Sequence, residues 1–555
     1  MLSARLKPIF LFAFLALLAA RLISLYVIPA WQTIVTDFPN YYVSAWAVRQ
    51  GHSLSELYDP VWFDQEKGQA GIERPAALFN YFPPMNALIM WPLANFSPIT
   101  AKRLWTIVNV IALIAIIYLT SKAAGLKWQL TAVVAFLGGD ALGNNFTYGQ
   151  FYIVLTLLML CGFLLSRRYP SIAGAATAVG AVTKIFPGFL IVYFAIRRQY
   201  RALIWSVIAL AGLSVIGLIA MGWAPHQTYL AEVFGRTLRG EIQDPYNIHW
   251  NTLQAFLRRA LVHDDLLNPR PILDSAWLFF FLRPVVSIGV AAATFYSIAR
   301  AREEHPLLAY GALIAMVSLI TPSQASYHYV LFFPAIAVLV ASAKSWAGQL
   351  APAILFAVIC SNVMGAMSHL DSGPAMILAF PRAWLVASLW SVFLAALNPP
   401  APRLSRRVVL PAAAVVAVLA VMATLENRRW IADVSDGAMR VPLESPADLE
   451  LHPRFVGDSL VTSVLGADGF NDSYQVVQGA TSPDGLWTAY ATNDRGNWDI
   501  AIRSVRTGES RYLTSSSAND LTPSFSPDGT FVYFASDRHR GYRFTTIYRV
   551  PVDAR

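Results

Sequence analysis

Charge is what this 555-residue chain has least of. Only 14% of its residues are charged, while 56% are hydrophobic and the mean hydropathy is +0.48. A soluble domain carries roughly 25% charged residues, so the balance points away from one. Cysteine is nearly missing. Cys161 and Cys360 both fall inside apolar runs, which excludes a disulfide framework, and both read as small buried apolar residues. No phosphate loop, G-x-S-x-G elbow, dinucleotide fingerprint or cysteine–histidine ligand cluster occurs. Without the phosphate loop, an ATP-driven pump is excluded. Lysine is absent from the last part of the chain: Glu426 to Arg555 holds 13 Arg, 17 acids and no Lys. That tail is therefore net −4, and the rest of the chain carries +13 of the total +9.

What is abundant is long apolar sequence. The first run, Pro8 to Trp31, has the length of a bilayer span, and Arg5 and Lys7 before it place the N-terminus in the cytoplasm. Its length and the runs that follow argue against a cleaved signal peptide. Further runs lie near 85–97, 104–121, 128–147, 151–166, 172–196, 202–222, 276–299, 307–321, 328–343, 350–367, 383–397 and 407–425. Together they predict a mostly α, polytopic membrane domain of roughly 11–13 spans. Basic clusters at 167–168, 197–201, 300–302 and 403–407 fall on the cytoplasmic side by the positive-inside rule. Segments 32–84 and 223–275 and the tail then lie outside. One conflict remains: Lys102-Arg103 and Lys122 with Lys127 both look cytoplasmic, yet a single run separates them. One short segment must fold back or lie flat. Lys184 and Pro187 likewise split 172–196 into two half-length pieces.

The expected boundary falls near residues 427/428. Beyond it, short alternating strands replace the apolar runs. "TSPDGLWTAYATNDRGNWDIAIRSVRTGE" begins at Thr481 and "FSPDGTFVYFASDRHRGYRFTTIYRVP" at Phe525. Their Ser-Pro-Asp-Gly turns, at Ser482 and Ser526, repeat at a propeller-blade period. The repeat resembles the TolB-type, WD40-like propeller unit, which implies a small extracytoplasmic all-β domain over 428–555. Blades are expected near 481–510 and 525–553, and a degenerate third in 450–480. Asp494–Arg495 and Asp537–Arg538 read as surface pairs, and a protein or glycan partner is conceivable for this domain.

The polar residues of the membrane part come in a definite order. Asp37 follows the first span, with Tyr41-Tyr42 just beyond. Then come "GHSLSELYD" (51–59), "YFPPMNALIMWPLANFSP" (81–98), "AKRLWTIVNV" (101–110), "GNNFTYGQFYIVLTLLML" (143–160), "AGAATAVGAVTKIFPGFLIVYFAIRRQYRA" (173–202), "HWNTLQAFLRRAL" (249–261) and "TPSQASYHYVLFFPA" (321–335). In this order, over roughly residues 8–400, they resemble the polyprenol-phosphate-mannose-dependent mannosyltransferases of the GT-C glycosyltransferase class. Thr252 stands where Ser is usual, a small departure, and the β-repeat tail is not part of the family pattern.

The resemblance implies an inner-membrane hexosyltransferase that uses a polyprenyl-phosphate sugar, most simply mannose. It implies an acceptor that is a lipid or glycan outside the cytoplasm, and inversion at the anomeric carbon. Such a reaction needs a base for the acceptor hydroxyl, a cation near the departing phosphate and a site holding both substrates in line. The family places its catalytic Asp where Asp37 stands; on residues alone, an interfacial helix cap reads as well. Lys184, costly in hydrocarbon, is the candidate phosphate partner, against a snorkelling lysine. His328 is the second phosphate candidate, against a structural hydrogen bond at a helix start. Asn144-Asn145 and Gln150 suit sugar hydroxyls or helix–helix glue equally. Tyr41, Tyr42, Arg74, Tyr81, His249, Asn251, Arg258 and Gln324 complete the candidate substrate-binding set. No metal, cofactor or nucleic acid is expected. A transporter or flippase would show repeats between halves and paired intramembrane charges. A scaffold acting through the tail would need one span.

Overall fold

The computed structural model describes residues 6–553 apart from 74–77, 80–81, 243, 265–266, 302–304, 398–405, 435, 444–449, 467–468, 471–478, 496 and 539–544. Helices fill the chain up to Val434, and strands follow. Among the described residues, four helices are long and apolar enough to cross a membrane: Ile9–Gln32, Pro98–Ala124, Tyr200–Met221 and Ala276–Arg300. Their ends follow local chemistry. Pro98 stands in the first turn of its helix, where a missing N–H is harmless, and Gly125 closes that helix in the left-handed conformation. The Ser275 side chain caps Ala276–Arg300 by accepting from the Leu278 N–H.

The surface of this bundle is inverted relative to a soluble protein. Pro98–Ala124 buries Lys102, Thr106, Asn109 and Thr120, and turns Ile107, Ile111, Ile114 and Tyr118 outward. Tyr200–Met221 exposes Ile204, Ile208, Val215 and Ile219. Aliphatic side chains outside and polar ones inside suit a hydrocarbon surround, where only the bundle interior can satisfy a polar group. The chain is an integral membrane protein by this pattern.

The span count differs from the sequence expectation. Four helices qualify, or six when two bent pairs each count once, and five further apolar helices are shorter. Proline and glycine account for the difference. The run at 85–97 is not a span: Pro83, Pro84 and Pro92 reduce it to two short 3-10 turns, Pro84–Leu88 and Trp91–Leu93. The run at 128–147 divides at Gly138-Gly139 into Trp128–Phe136 and Gly139–Thr147. Lys184 and Pro187 break 172–196 as their spacing suggests, into Pro170–Thr183 and, after a short turn, Phe189–Ile196.

Helix Arg406–Val434 runs through the expected 427/428 boundary into three antiparallel sheets. One has four strands in sequential order, Ala480–Thr481, Trp487–Thr492, Asp499–Ser504 and Ser510–Tyr512. In a second, Met439–Arg440 pairs with Thr546–Pro551, which pairs with Phe531–Ser536 and then Asp520–Phe525. The third joins Glu450–Val456, Ser459–Gly466 and Gly469–Phe470. The repeat holds at the level of hydrogen bonds. Ser482 Oγ bonds Asp484 Oδ1 and accepts from Trp487 N–H; Ser526 does the same with Asp528 and Phe531.

Among the described residues these sheets do not close a propeller, which typically takes four or more blades. One expectation needs correction: Asp537 and Arg538 are not a surface pair, since both are buried, whereas Asp494 and Arg495 are exposed. Arg538 bridges Asp436 and Asp520, each at 2.8 Å, with all three side chains out of water. Removing the shared cation strands two buried carboxylates, at a cost of about 3–5 kcal/mol. Arg538→Met is therefore expected to open the region after Val434 to protease while the helical part stays resistant. Unchanged digestion of both parts would contradict this.

Candidate active site

A cavity of about 510 Å³ lies inside the helical part. Asp37, Lys184, Gln324 and His328 line its polar end together with Tyr152, and Phe186, Phe189, Ile314, Val317 and Leu331 line much of the rest. Four sequence candidates from three distant stretches thus meet in one place.

Asp37 owes its position to a strained turn. It precedes helix Phe38–Gln50 with φ +75° and ψ −45°, a conformation a non-glycine residue seldom holds. Its side chain makes no capping bond to that helix. Instead Oδ2 accepts from Gln150 Nε2 at 2.7 Å, and Gln150 Oε1 accepts from the Tyr41 hydroxyl at 3.0 Å. Burial pushes the Asp37 carboxyl above its ordinary range, against the Gln150 hydrogen bond and the opposing pull of Lys184 and Lys102.

Gln150 is in place because helix Gly139–Thr147 and helix Tyr152–Leu165 meet at 113°. The bend leaves helix-end carbonyls exposed to the interior, and Lys102 satisfies two: Nζ donates to Phe146 O at 2.9 Å and Thr147 O at 2.8 Å. Trp105 Nε1 donates to Gly149 O at 2.9 Å. Gly149 has φ +63°, and a Cβ there would fall 2.8 Å from Lys102 Nζ and 2.9 Å from Phe38 Cβ. Lys102 is thus a site residue that the sequence reading assigned to topology. Its mark, a lysine in "AKRLW" ahead of a long apolar run, is shared with ordinary cytoplasmic flanks.

Lys184 ends helix Pro170–Thr183 just before the Pro187 break. Its ammonium lies 4.0 Å from the centre of the Phe82 ring, and 5.3 Å and 5.5 Å from those of Tyr152 and Tyr41. Asn86 Nδ2 anchors the break by donating to Thr183 O at 2.5 Å. His328 Nδ1 donates to Ala325 O at 2.9 Å, and Nε2 faces the Tyr152 hydroxyl at 2.5 Å. Both ring nitrogens are engaged, so direct contact with a phosphate requires Tyr152 to yield its place. Gln324 Nε2 donates to Ser318 Oγ at 3.0 Å, while its buried Oε1 has no partner among the described residues.

The other candidates serve the frame. The Tyr42 hydroxyl donates to Phe96 O at 2.7 Å. Asn145 Nδ2 bonds Ala141 O and Tyr327 O, and Asn144 Nδ2 bonds Ser326 Oγ, fastening helix Gly139–Thr147 to the turn that carries His328. Asn251 ties Ala379 O to Arg382 N–H, each at 2.8 Å. Arg258 packs on Phe279 and reaches Glu241 Oε1 at 3.3 Å. Burial alone would raise the Glu241 carboxyl, but Arg239 and Arg258 outweigh it and hold it at about 2. His249 is exposed, and its neighbour Trp250 is the one that lines the cavity. Arg74 and Tyr81 lie outside the described residues.

Residues 79–322 match the model of Glycosyltransferase family 87. That match includes Lys184 and stops short of Asp37 and His328. The chain is 25% identical over 276 residues to a polyprenol-phosphate-mannose-dependent alpha-(1-2)-phosphatidylinositol pentamannoside mannosyltransferase of Mycolicibacterium smegmatis, covering 48% of this chain and 62% of that one. It is 24% identical over 258 residues to a polyprenol-phosphate-mannose-dependent alpha-(1-2)-phosphatidylinositol mannoside mannosyltransferase of Mycobacterium tuberculosis, covering 46% and 52%. The chain thus spans between half and two-thirds of the length of these two relatives.

Gly149→Ala is expected to destabilise the protein by about 1–3 kcal/mol, because the left-handed backbone and the Lys102 contact both resist a methyl group. Thermal unfolding in detergent is the measurement, and a midpoint equal to the parent's would argue that the bend is loosely packed.

Proposed function

We propose that the chain is a membrane glycosyltransferase that moves a hexose, most simply mannose, from a polyprenyl phosphate to a lipid or glycan acceptor. The observation that carries this reading is the aim of Asp37. Its carboxylate is turned away from the helix it precedes, bonded through one oxygen to Gln150, and set at the polar end of a largely apolar cavity that also holds Lys184. An amphiphile with an anionic head and a hydrocarbon tail fits that division. The likeness to mannosyltransferases that use polyprenol-phosphate-mannose supports the same donor.

In the proposed reaction the acceptor hydroxyl gives its proton to Asp37 as its oxygen attacks the anomeric carbon. The bond from that carbon to the phosphate oxygen breaks, and its electron pair leaves with the polyprenyl phosphate beside Lys184. A single displacement inverts the anomeric centre. Gln324 and Tyr152 are placed to contact the sugar, and His328 the phosphate when Tyr152 turns aside. Lys102 keeps charge balanced behind Asp37. The site would open to the extracytoplasmic side of the inner membrane, with the N-terminus in the cytoplasm and a propeller-like domain over 428–555 outside.

The decisive assay supplies membranes with labelled polyprenyl-phosphate mannose and looks for label in a lipid or glycan product. Asp37→Asn keeps the shape but cannot take a proton, so transfer should fall about 10²–10⁴-fold with folding intact. Near-normal turnover in that variant would reject the base. Because burial raises the Asp37 carboxyl, the base is protonated and idle at pH values where an ordinary carboxylate is already ionised. The acid limb of kcat/KM should therefore lie above the usual 3.8. Lys184→Ala should weaken donor binding by about 1.5–3 kcal/mol, the worth of a charge-assisted contact. Wild-type donor affinity in that variant would move the phosphate site elsewhere.

A further inference from the structure

The sequence presents the β-region as a separable module, but two contacts join it to the walls of the cavity. The first is polar. Arg236, in helix Phe234–Arg239, reaches into the β-region: Nη1 donates to Asp537 Oδ2 and Nη2 to the Ser517 carbonyl, both at 3.1 Å. Asp537 is fully enclosed at this contact and is fixed from behind by the Asn519 backbone N–H at 2.8 Å and side chain at 2.9 Å. The residues directly after Arg236 line the cavity: Thr237, Leu238, Gly240 and Ile242. At their far end Gly240 rests against Pro322, where a Cβ would come within 2.5 Å of the proline ring.

The second contact is apolar. Val61 and Leu78 share a buried cluster with Leu451, Ala535 and Ile547 of the β-region. Next to Leu78, Phe79 stacks on Phe63 and meets Phe82, whose ring lies under the Lys184 ammonium. The two contacts converge at Tyr58. Its hydroxyl donates to Phe82 O at 2.7 Å, and its ring stacks on Tyr229, which packs on Phe234 two residues before Arg236.

From this arrangement we infer that the β-region is a structural brace of the cavity, and that Asp537 is a positioning residue acting through Arg236 on residues 237–242. The brace holds two parts of the cavity lining in place, Phe82 with Pro83 and the run that carries Thr237, Leu238, Gly240 and Ile242. The cation comes from the helical part and its partner from the acidic tail, so neither contact exists without the other part of the chain. An enclosed carboxylate paired with a largely buried guanidinium is strongly destabilised when either is removed. Residues 237–242 are then free to exchange their amides and to drift from the cavity.

The test uses the full-length protein in nanodiscs, with Arg236→Met as the main variant because it leaves the Asp537–Asn519 bonds intact. Hydrogen exchange should rise about tenfold or more at 234–242 and stay level in helix Pro98–Ala124. Binding of undecaprenyl phosphate should weaken several-fold, with more effect on KM than on kcat for transfer. Arg236→Lys should recover part of both. Asp537→Asn should give the same pattern, and the double variant should be no worse than either single one. Unchanged exchange at 234–242 in both single variants would overturn the brace, as would additive effects in the double. The inference about substrate affinity rests on the proposed donor site, whereas the exchange readout does not. If the wild-type protein bound no polyprenyl phosphate, the donor reading would fail, and exchange alone would decide the brace.

Discussion

Holding a carboxylate in the lining of a largely apolar cavity is the constraint from which the site follows. A buried, uncompensated Asp37 would cost several kcal/mol. The fold offsets this with one hydrogen bond from Gln150 and the fields of Lys184 and Lys102. Lys102 comes from the first turns of the unbroken helix Pro98–Ala124, but Gln150 and Lys184 each need an interruption in a helix. Gln150 projects from the 113° bend, Lys184 from the end of Pro170–Thr183 before the proline break, and Asp37 itself from a left-handed turn. An unbroken bundle would have better backbone hydrogen bonding and nowhere to put the three. The 113° bend and the break at Lys184 and Pro187 both lower the count of spans and shape the site.

This explains what was legible in the sequence. Asp37 and Lys184 stood out because a lone charge in apolar sequence is expensive and needs a reason. Their meeting place was not legible, since it depends on which broken helix faces which. Asn145 and Gln150 show the limit sharply. They lie in one short run and have the same chemistry. Yet the backbone between them turns, so that Asn145 fastens Tyr327 while Gln150 holds Asp37. Periodicity cannot separate two such amides. Lys102 shows a different limit. Positive charge at a helix start is normally a topology mark, and only tertiary structure reveals that this one turns inward to two carbonyls.

The β-region divides the same way. Its period, turns and strand positions are local and were readable. Ring closure and docking are not local: the Arg236–Asp537 bond joins residues 301 apart. A surface pair and a buried one look alike in sequence, and Asp494–Arg495 and Asp537–Arg538 turned out to be one of each. The opposed net charges of the two parts are the only sequence trace of their contact.

Charge also constrains the proposed chemistry as a whole. With Asp37 ionised and Lys102 and Lys184 protonated, the three groups sum to one positive charge. A sugar phosphodiester of polyprenol carries one negative charge, so the loaded site is neutral. Transfer moves a proton onto Asp37 and leaves a second negative charge on the departing phosphate. The charges of the two lysines then equal the two on the phosphate, and the site is neutral again. No net charge is created in a low-dielectric interior along the way, where separating charge costs far more than in water. A single lysine would leave the product state with an uncompensated anion. In the proposed reaction the second lysine, tied by its ammonium to the helix bend rather than to the cavity, lets the proposed base and an anionic leaving group share one site.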